Sequence, residues 1–77
     1  MIMQVVLKCY ATLAKYQPSN PESTPIQEGK TVMDLIDELK IDPKEVKVCF
    51  LNGRSVPFET QLHDGDRVAL FPAVGGG

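Results

Sequence analysis

Between Thr31 and Lys40 the chain carries the pattern that most narrows its fold. Val32, Leu35, Ile36 and Leu39 fall at i, i+3, i+4 and i+7, the spacing that lines one face of an α-helix with apolar side chains. Glu28-Gly29-Lys30 reads as a turn before it. Thr31 stands at the N-cap position, with Asp34 placed in the first turn where a carboxylate favours the helix dipole. Asp34, Asp37, Glu38 and Lys40 fall off the stripe and face water, and Asp42-Pro43 marks the exit. A helix with one apolar face must bury it against a second layer.

The remaining segments supply that layer as strands. Ile2 to Cys9 (IMQVVLKC), Val46 to Leu51 (VKVCFL) and Arg67 to Phe71 (RVALF) are rich in β-branched and apolar residues. Glu22 to Gln27 is a weaker strand, and Pro25 within it argues for a sheet edge. Ser55 to Phe58 pairs briefly before Pro57 ends it. Asn52-Gly53 predicts a tight hairpin turn, because both residues tolerate positive φ. His63-Asp64-Gly65-Asp66 is a further turn, and Tyr10 to Tyr16 suits a short helix stopped by Pro18 and Pro21. The expected architecture is α+β: a mixed four- to five-stranded sheet covered on one face by one main helix. Its predicted core is Val5, Leu7, Leu13, Val32, Leu35, Ile36, Leu39, Leu51, Leu62, Val68 and Leu70.

With 77 residues there is room for one domain. A domain so short buries only about 60% of the surface its unfolded chain exposes, which leaves little space for an enclosed active site. Chemistry then belongs on the surface, at a terminus, or with a partner. The net charge of −2 is spread along the chain without a basic run, so nucleic-acid binding lacks electrostatic support. Apolar stretches are too short for a membrane span. The start lacks the basic region and cleavage site of a signal peptide, and the expected location is the cytoplasm.

Few side chains suggest a site. Cys9 and Cys49 lie forty residues apart with a single histidine, His63, and no close cysteine pair, so two buried free thiols are expected and no metal. Asp64 and Asp66 resemble a carboxylate pair, but Gly65 between them marks a turn. Arg54 and Arg67 read as solvated charges. Phe58 and Phe71, if exposed, are candidate anchors for a partner, since aromatics are enriched at binding hot spots.

The end of the chain is unlike the rest. After Arg67 no residue is charged, and the last residues are Gly75, Gly76 and Gly77. Glycines lose the most backbone entropy on ordering and offer nothing to pack. The expected organisation is therefore a domain over 1–71 and a flexible glycine tail over 72–77. Such a tail is thin enough to enter a narrow channel and brings a terminal carboxylate with it. Activated by ATP, that carboxylate would become an acyl-adenylate open to attack by sulfide or an amine. Docking about five flexible residues costs on the order of 5–10 kcal/mol of backbone entropy, which a partner must offset along Pro72, Ala73, Val74 and Gly75.

RVALFPAVGGG, preceded by LNGRSVPFETQLHDGD and with the helix TVMDLIDELK upstream, resembles the MoaD/ThiS family of ubiquitin-like sulfur carriers. The resemblance implies a β-grasp fold. It also implies that Gly77, backed by Gly76, is the site of adenylation and thiocarboxylate formation by an E1-like adenylyltransferase that uses ATP, with no cofactor bound to the carrier itself. Sulfur would come from a donor such as a cysteine desulfurase or a rhodanese. The segment Tyr10 to Tyr16 leans towards the MoaD branch, the small subunit of molybdopterin synthase, with the large subunit as partner. The short link from Ile41 to Lys47 is more like the ThiS branch, whose partner is a thiazole synthase of thiamine synthesis. A ubiquitin-like protein modifier, activated the same way, stays open beside both.

Overall fold

The computed structural model describes residues 2–19 and 23–72. Along the chain run β1 (Ile2–Cys9), a 3₁₀ helix (Ala11–Tyr16), β2 (Thr24–Gln27), α1 (Val32–Glu38), a short 3₁₀ turn (Pro43–Glu45), β3 (Val46–Leu51), β4 (Arg54–Val56) and β5 (Arg67–Pro72). The strands form one five-stranded sheet in the order β2-β1-β5-β3-β4. β1 and β5 pair in parallel, and the other three pairs are antiparallel. Parallel neighbours cannot be joined by a hairpin; here the whole middle of the chain, α1 included, is the crossover. This is the β-grasp arrangement. β2 lies at an edge with Pro25 in it, where a missing N–H disturbs no inner ladder.

The N-terminus of α1 is closed by its own sequence. Thr31 Oγ1 accepts from the N–H of Asp34 at 3.3 Å, while the Asp34 carboxylate accepts from the Thr31 N–H at 2.9 Å and from its hydroxyl at 3.1 Å. This is a capping box with Asp in the place usually held by Glu. These bonds, the Thr31 N–H foremost, hold the Asp34 carboxyl below its ordinary range. The next orphan donors also find partners: Val32 N–H donates to Thr60 O and Met33 N–H to Phe58 O. Val32, Leu35 and Ile36 are buried; Leu39 packs half-buried beside them.

The helix ends earlier than Asp42-Pro43 suggests, and by a different device. Lys40 sits at φ 61°. Its N–H donates to Asp37 O, and the Ile41 N–H reaches back to Ile36 O. These are the two bonds of a Schellman motif, with lysine where glycine is customary and buried Ile41 as its apolar contact.

Alternation along the strands sends Met3, Val5, Leu7 and Cys9 of β1, and Val68, Leu70 and Pro72 of β5, towards α1. Leu13, Leu62, Ile26, Val46 and Cys49 complete the core. Leu51, placed in the core from sequence, is half-buried and packs against it. Both cysteines are buried and free.

Two polar clamps fix the central strands. At the first, Gln4 N–H donates to Asp64 Oδ1 at 2.9 Å, and Gly65 N–H returns to Gln4 O. Asp66 accepts from the His63 N–H at 2.7 Å and from Asn52 Nδ2 at 3.0 Å; Asn52 Oδ1 then accepts from the Arg67 N–H. Asn52 (φ 54°) and Gly53 (φ 86°) form the hairpin turn that places this amide. The second clamp is Gln17, whose amide accepts from Cys9 N–H and donates to Leu7 O. It covers β1 beyond the last residue paired with β2.

Three substitutions test this account by urea denaturation. Asp66→Ala removes an acceptor shared by two donors and is expected to cost about 2 kcal/mol, against under about 0.5 kcal/mol for exposed Asp37→Ala; equal losses would deny the clamp. Lys40→Gly should gain about 0.5–1 kcal/mol, because glycine enters the left-handed region without the Cβ penalty. A loss there would show that Lys40 is not left-handed. Because the folded pKa of Asp34 is lowered, its stabilisation is present above its unfolded pKa and fades as pH falls through the folded one. Asp34→Asn should therefore lower stability at neutral pH and flatten its fall in acid; an unchanged acid limb would contradict the capping box.

Candidate functional site

β5 carries the chain towards the glycines, so the site is built outward from its end. Pro72 is the last residue of β5, buried and paired in register with Val46. The ordered strand thus takes in Pro72, one residue beyond the boundary drawn from sequence, and Pro72 belongs to the sheet rather than to a free tail. The reason is a β-bulge between Val46 and Val48 that brings Val46 opposite it. As the terminal residue of a ladder, a proline sacrifices little. Ala73, Val74, Gly75, Gly76 and Gly77 lie outside the described residues.

The surroundings of that exit are held by the two 3₁₀ segments. Tyr10 N–H donates to Leu70 O, and the helix Ala11–Tyr16 packs against β5. Tyr16 Oη donates to Glu45 Oε2 at 3.0 Å. That bond to a carboxylate holds the Tyr16 phenol above its ordinary pKa.

The sheet face turned away from α1 carries an aromatic cluster. The rings of Tyr10 and Phe71 stack with centroids 4.5 Å apart and planes 3° apart, and Phe50 meets Phe71 edge-on at 5.3 Å. Lys8 and Arg67 lie in the same shallow groove. Phe71 is therefore half-buried by ring contacts on the open face, outside the helix-covered core. Phe58 is placed elsewhere. Its ring packs against the core, and it lines a different depression with Met33, Val56 and Pro57. The structure does not unite the two phenylalanines in one groove. Sequence reasoning named Phe71 but missed Tyr10 and Phe50. The parity of the strands held the signal: Lys8 and Tyr10 alternate with buried Leu7 and Cys9, and Phe50 follows buried Cys49.

The other candidates have structural duties. Asp64 and Asp66 are acceptors in the clamp described above. His63 is exposed, its side chain 74% accessible, with Nδ1 3.9 Å from Asp66 Oδ2. Among the described residues no group of three or more His, Cys, Asp or Glu could hold a metal ion. Burial pushes the Cys49 thiol up to about 11 and raises Cys9 as well. Both are thiols at neutral pH, and the thiolate is the reactive form. Arg54 and Arg67 are exposed. Among the described residues no helix is long and apolar enough to cross a membrane.

Residues 8–77 match the model of the ThiS family. No curated protein sequence matches the chain. Among solved structures, the HVO 2177 protein of Haloferax volcanii is 29% identical with a TM-score of 0.74, over 99% of this chain and 88% of that one. A protein of Pyrococcus furiosus, provisionally assigned as molybdopterin converting factor, subunit 1, is 28% identical with a TM-score of 0.66, over 94% of this chain and 99% of that one. Small archaeal modifier protein 1 of H. volcanii, 20% identical over 94% of this chain and 99% of that one, shares the fold with a TM-score of 0.70.

Proposed function

The chain belongs to the ThiS family of ubiquitin-fold sulfur carriers, and we propose that it carries sulfur as a thiocarboxylate on Gly77 for molybdopterin synthesis. Carriers of this kind are not enzymes themselves; they work with E1-like activating enzymes and synthase partners. The observation that carries the reading is the family match running through Gly77, on a chain that ends in three Cβ-free residues. The likeness to the P. furiosus protein favours the molybdopterin branch over the thiazole one.

The chemistry runs from activation through sulfur loading to sulfur transfer. An oxygen of the Gly77 carboxylate attacks the α-phosphorus of ATP, and pyrophosphate leaves. The resulting acyl-adenylate is attacked at its carbonyl carbon by the terminal sulfur of a persulfide carried by a donor such as a cysteine desulfurase or rhodanese, and AMP leaves with the bonding pair. A thiol of the activating machinery then attacks the donor-side sulfur of the acyl disulfide, which frees the thiocarboxylate and leaves a disulfide between that thiol and the donor cysteine. The thiocarboxylate sulfur then displaces an oxygen leaving group from a carbon of a precursor held by a synthase large subunit, and water hydrolyses the resulting thioester, restoring the carboxylate and leaving the sulfur on the precursor as a thiol. This chain's own contribution is access. Glycine at 75, 76 and 77 lets the acyl carbon pass a channel closed to side chains, while Pro72, held in β5, fixes where that reach begins.

Incubation with the E1-like enzyme of the same organism, ATP and a sulfur donor should exchange one oxygen of Gly77 for sulfur, read by intact mass. Gly76→Ala should slow the exchange without changing thermal stability. Deleting Gly77 alone leaves a two-glycine end, and its activity relative to the full chain identifies which glycine is charged. An unchanged mass shift after removal of 75–77 would overturn the carrier reading. Product formed with a molybdopterin synthase large subunit, and none with a thiazole synthase, would establish the branch; the reverse would assign the chain to thiamine synthesis.

A further inference from the structure

The last rung of β5 is held without a hydrogen bond between its two residues. Val46 faces Pro72, and the next pair inward is Val48 with Phe71, so Lys47 is the extra residue of the bulge. Pro72 has no N–H, and the Val46 N–H donates to Pro43 O inside its own 3₁₀ turn. Neither residue donates to the other. The place of Val46, and with it the point where the chain leaves the sheet, is therefore set by the turn Pro43–Glu45 in front of it.

That turn is tied across the fold by one side chain. Tyr16 Oη donates to Glu45 Oε2 at 3.0 Å, over 29 residues of sequence. The tyrosine is a firm anchor. It ends the 3₁₀ helix Ala11–Tyr16, whose Leu13 is fully buried in the core. On either side of that helix, Tyr10 N–H donates to Leu70 O of β5, and Gln17 spans Cys9 N–H and Leu7 O of β1. The Tyr16 ring packs half-buried against the core, with Lys15 Nζ 5.2 Å from its centroid. One hydroxyl thus joins a segment that grips β1 and β5 to the residue just before Val46.

We propose that Tyr16 and Glu45 are positioning residues for the carrier end: their bond holds Val46 against Pro72 and so fixes where the chain that ends in Gly77 starts from. The proposal rests on the carrier reading for its consequence, not for its geometry. With the bond broken, the pairing of β5 would stop at Phe71, opposite Val48. Pro72 would then have to be ordered again each time a partner's channel takes the terminal glycines. Fixing one residue costs a factor of about 5–30 in an equilibrium, and the restricted φ of proline puts this one at the low end.

The test compares Tyr16→Phe, Glu45→Ala, their double variant and Glu45→Gln in the full chain. Two quantities are read. One is the nuclear Overhauser contact between Val46 and Pro72. The other is pyrophosphate exchange by the E1-like enzyme of the same organism at subsaturating carrier. Tyr16→Phe keeps the ring and removes only the donor. It and Glu45→Ala should each lose the Val46–Pro72 contact, keep the Val48–Phe71 contact and slow exchange about fivefold. The double variant should be no slower, since all three break the same bond. Glu45→Gln, whose amide oxygen still accepts, should keep both readouts within about twofold of wild type. Asp66→Ala, in the polar clamp at the start of β5, should exchange at the wild-type rate while folded, which separates positioning from stability. A Val46–Pro72 contact that survives Tyr16→Phe would overturn the proposal. So would its loss with exchange unchanged, or a double variant slowed by the product of the two single effects. No exchange with the wild type would remove the carrier reading instead, and the contact alone would then decide whether the bond fixes the chain's exit.

Discussion

Parallel pairing of β1 with β5 is the constraint on which the rest of this domain depends. Its register runs from Val6 opposite Arg67 to Cys9 opposite Leu70. Because the strands run the same way, their starts share one pole and their ends the other. Asn52, Asp64 and Asp66 gather at the starting pole, where they tie β1, β5 and the β3–β4 hairpin together. At the opposite pole Tyr10 follows β1 just as Phe71 ends the open-face series of β5, so the two rings stack. An antiparallel pair would have sent the end of β5 back to the clamp, and the chain would leave beside the very groups that hold it together.

The same topology explains the unequal faces. α1 closes one side and takes Val5, Leu7, Val68 and Leu70 of the central strands. With so few residues, little apolar material remains for a second core. The open face is instead occupied by three aromatic rings, which bring large contact area and prefer the stacked and edge-on geometries seen here. Cations beside them add no conflict, since an aromatic face attracts positive charge. Carboxylates go where helix starts and turns use them: Asp34 in the capping box, Asp42 accepting from the Lys44 N–H, Asp64 and Asp66 in the clamp.

Much of this was legible in the residues themselves. The bounds of β1 and β3, the Thr31 cap, the Asn52-Gly53 turn and the mixed sheet under one helix follow from local patterning or from the family resemblance, and the structure agrees. The stop of α1 was not legible, because the left-handed position is taken by Lys40, and a lysine carries no signal for positive φ. Ile26, Ile41 and Val46 were missed as core because each sits alone beside a turn or an edge, where no periodicity marks the buried side. Gln17 lies between the predicted short helix and Pro18 with no pattern to mark it; its clamp on β1 is a tertiary contact that no spacing rule encodes. The separation of Phe58 from Phe71 was hidden for a related reason. Sequence cannot say that Phe58, past the end of β4, turns in against the core while Phe71 stays on the outer face.

The position of Pro72 joins these points. A buried proline, opposite Val46 at the end of a ladder, cannot donate a further hydrogen bond there and keeps its φ fixed. It defines a rigid last point from which any onward chain must start, next to the aromatic groove and away from the polar clamp. The interactions that keep the domain folded and the surface suited to a partner then share almost no side chains. Selection on one is free to act without disturbing the other. In a domain with so thin a core this separation matters, because a binding face that also carried the fold could change only at a cost of several tenths of the total stability.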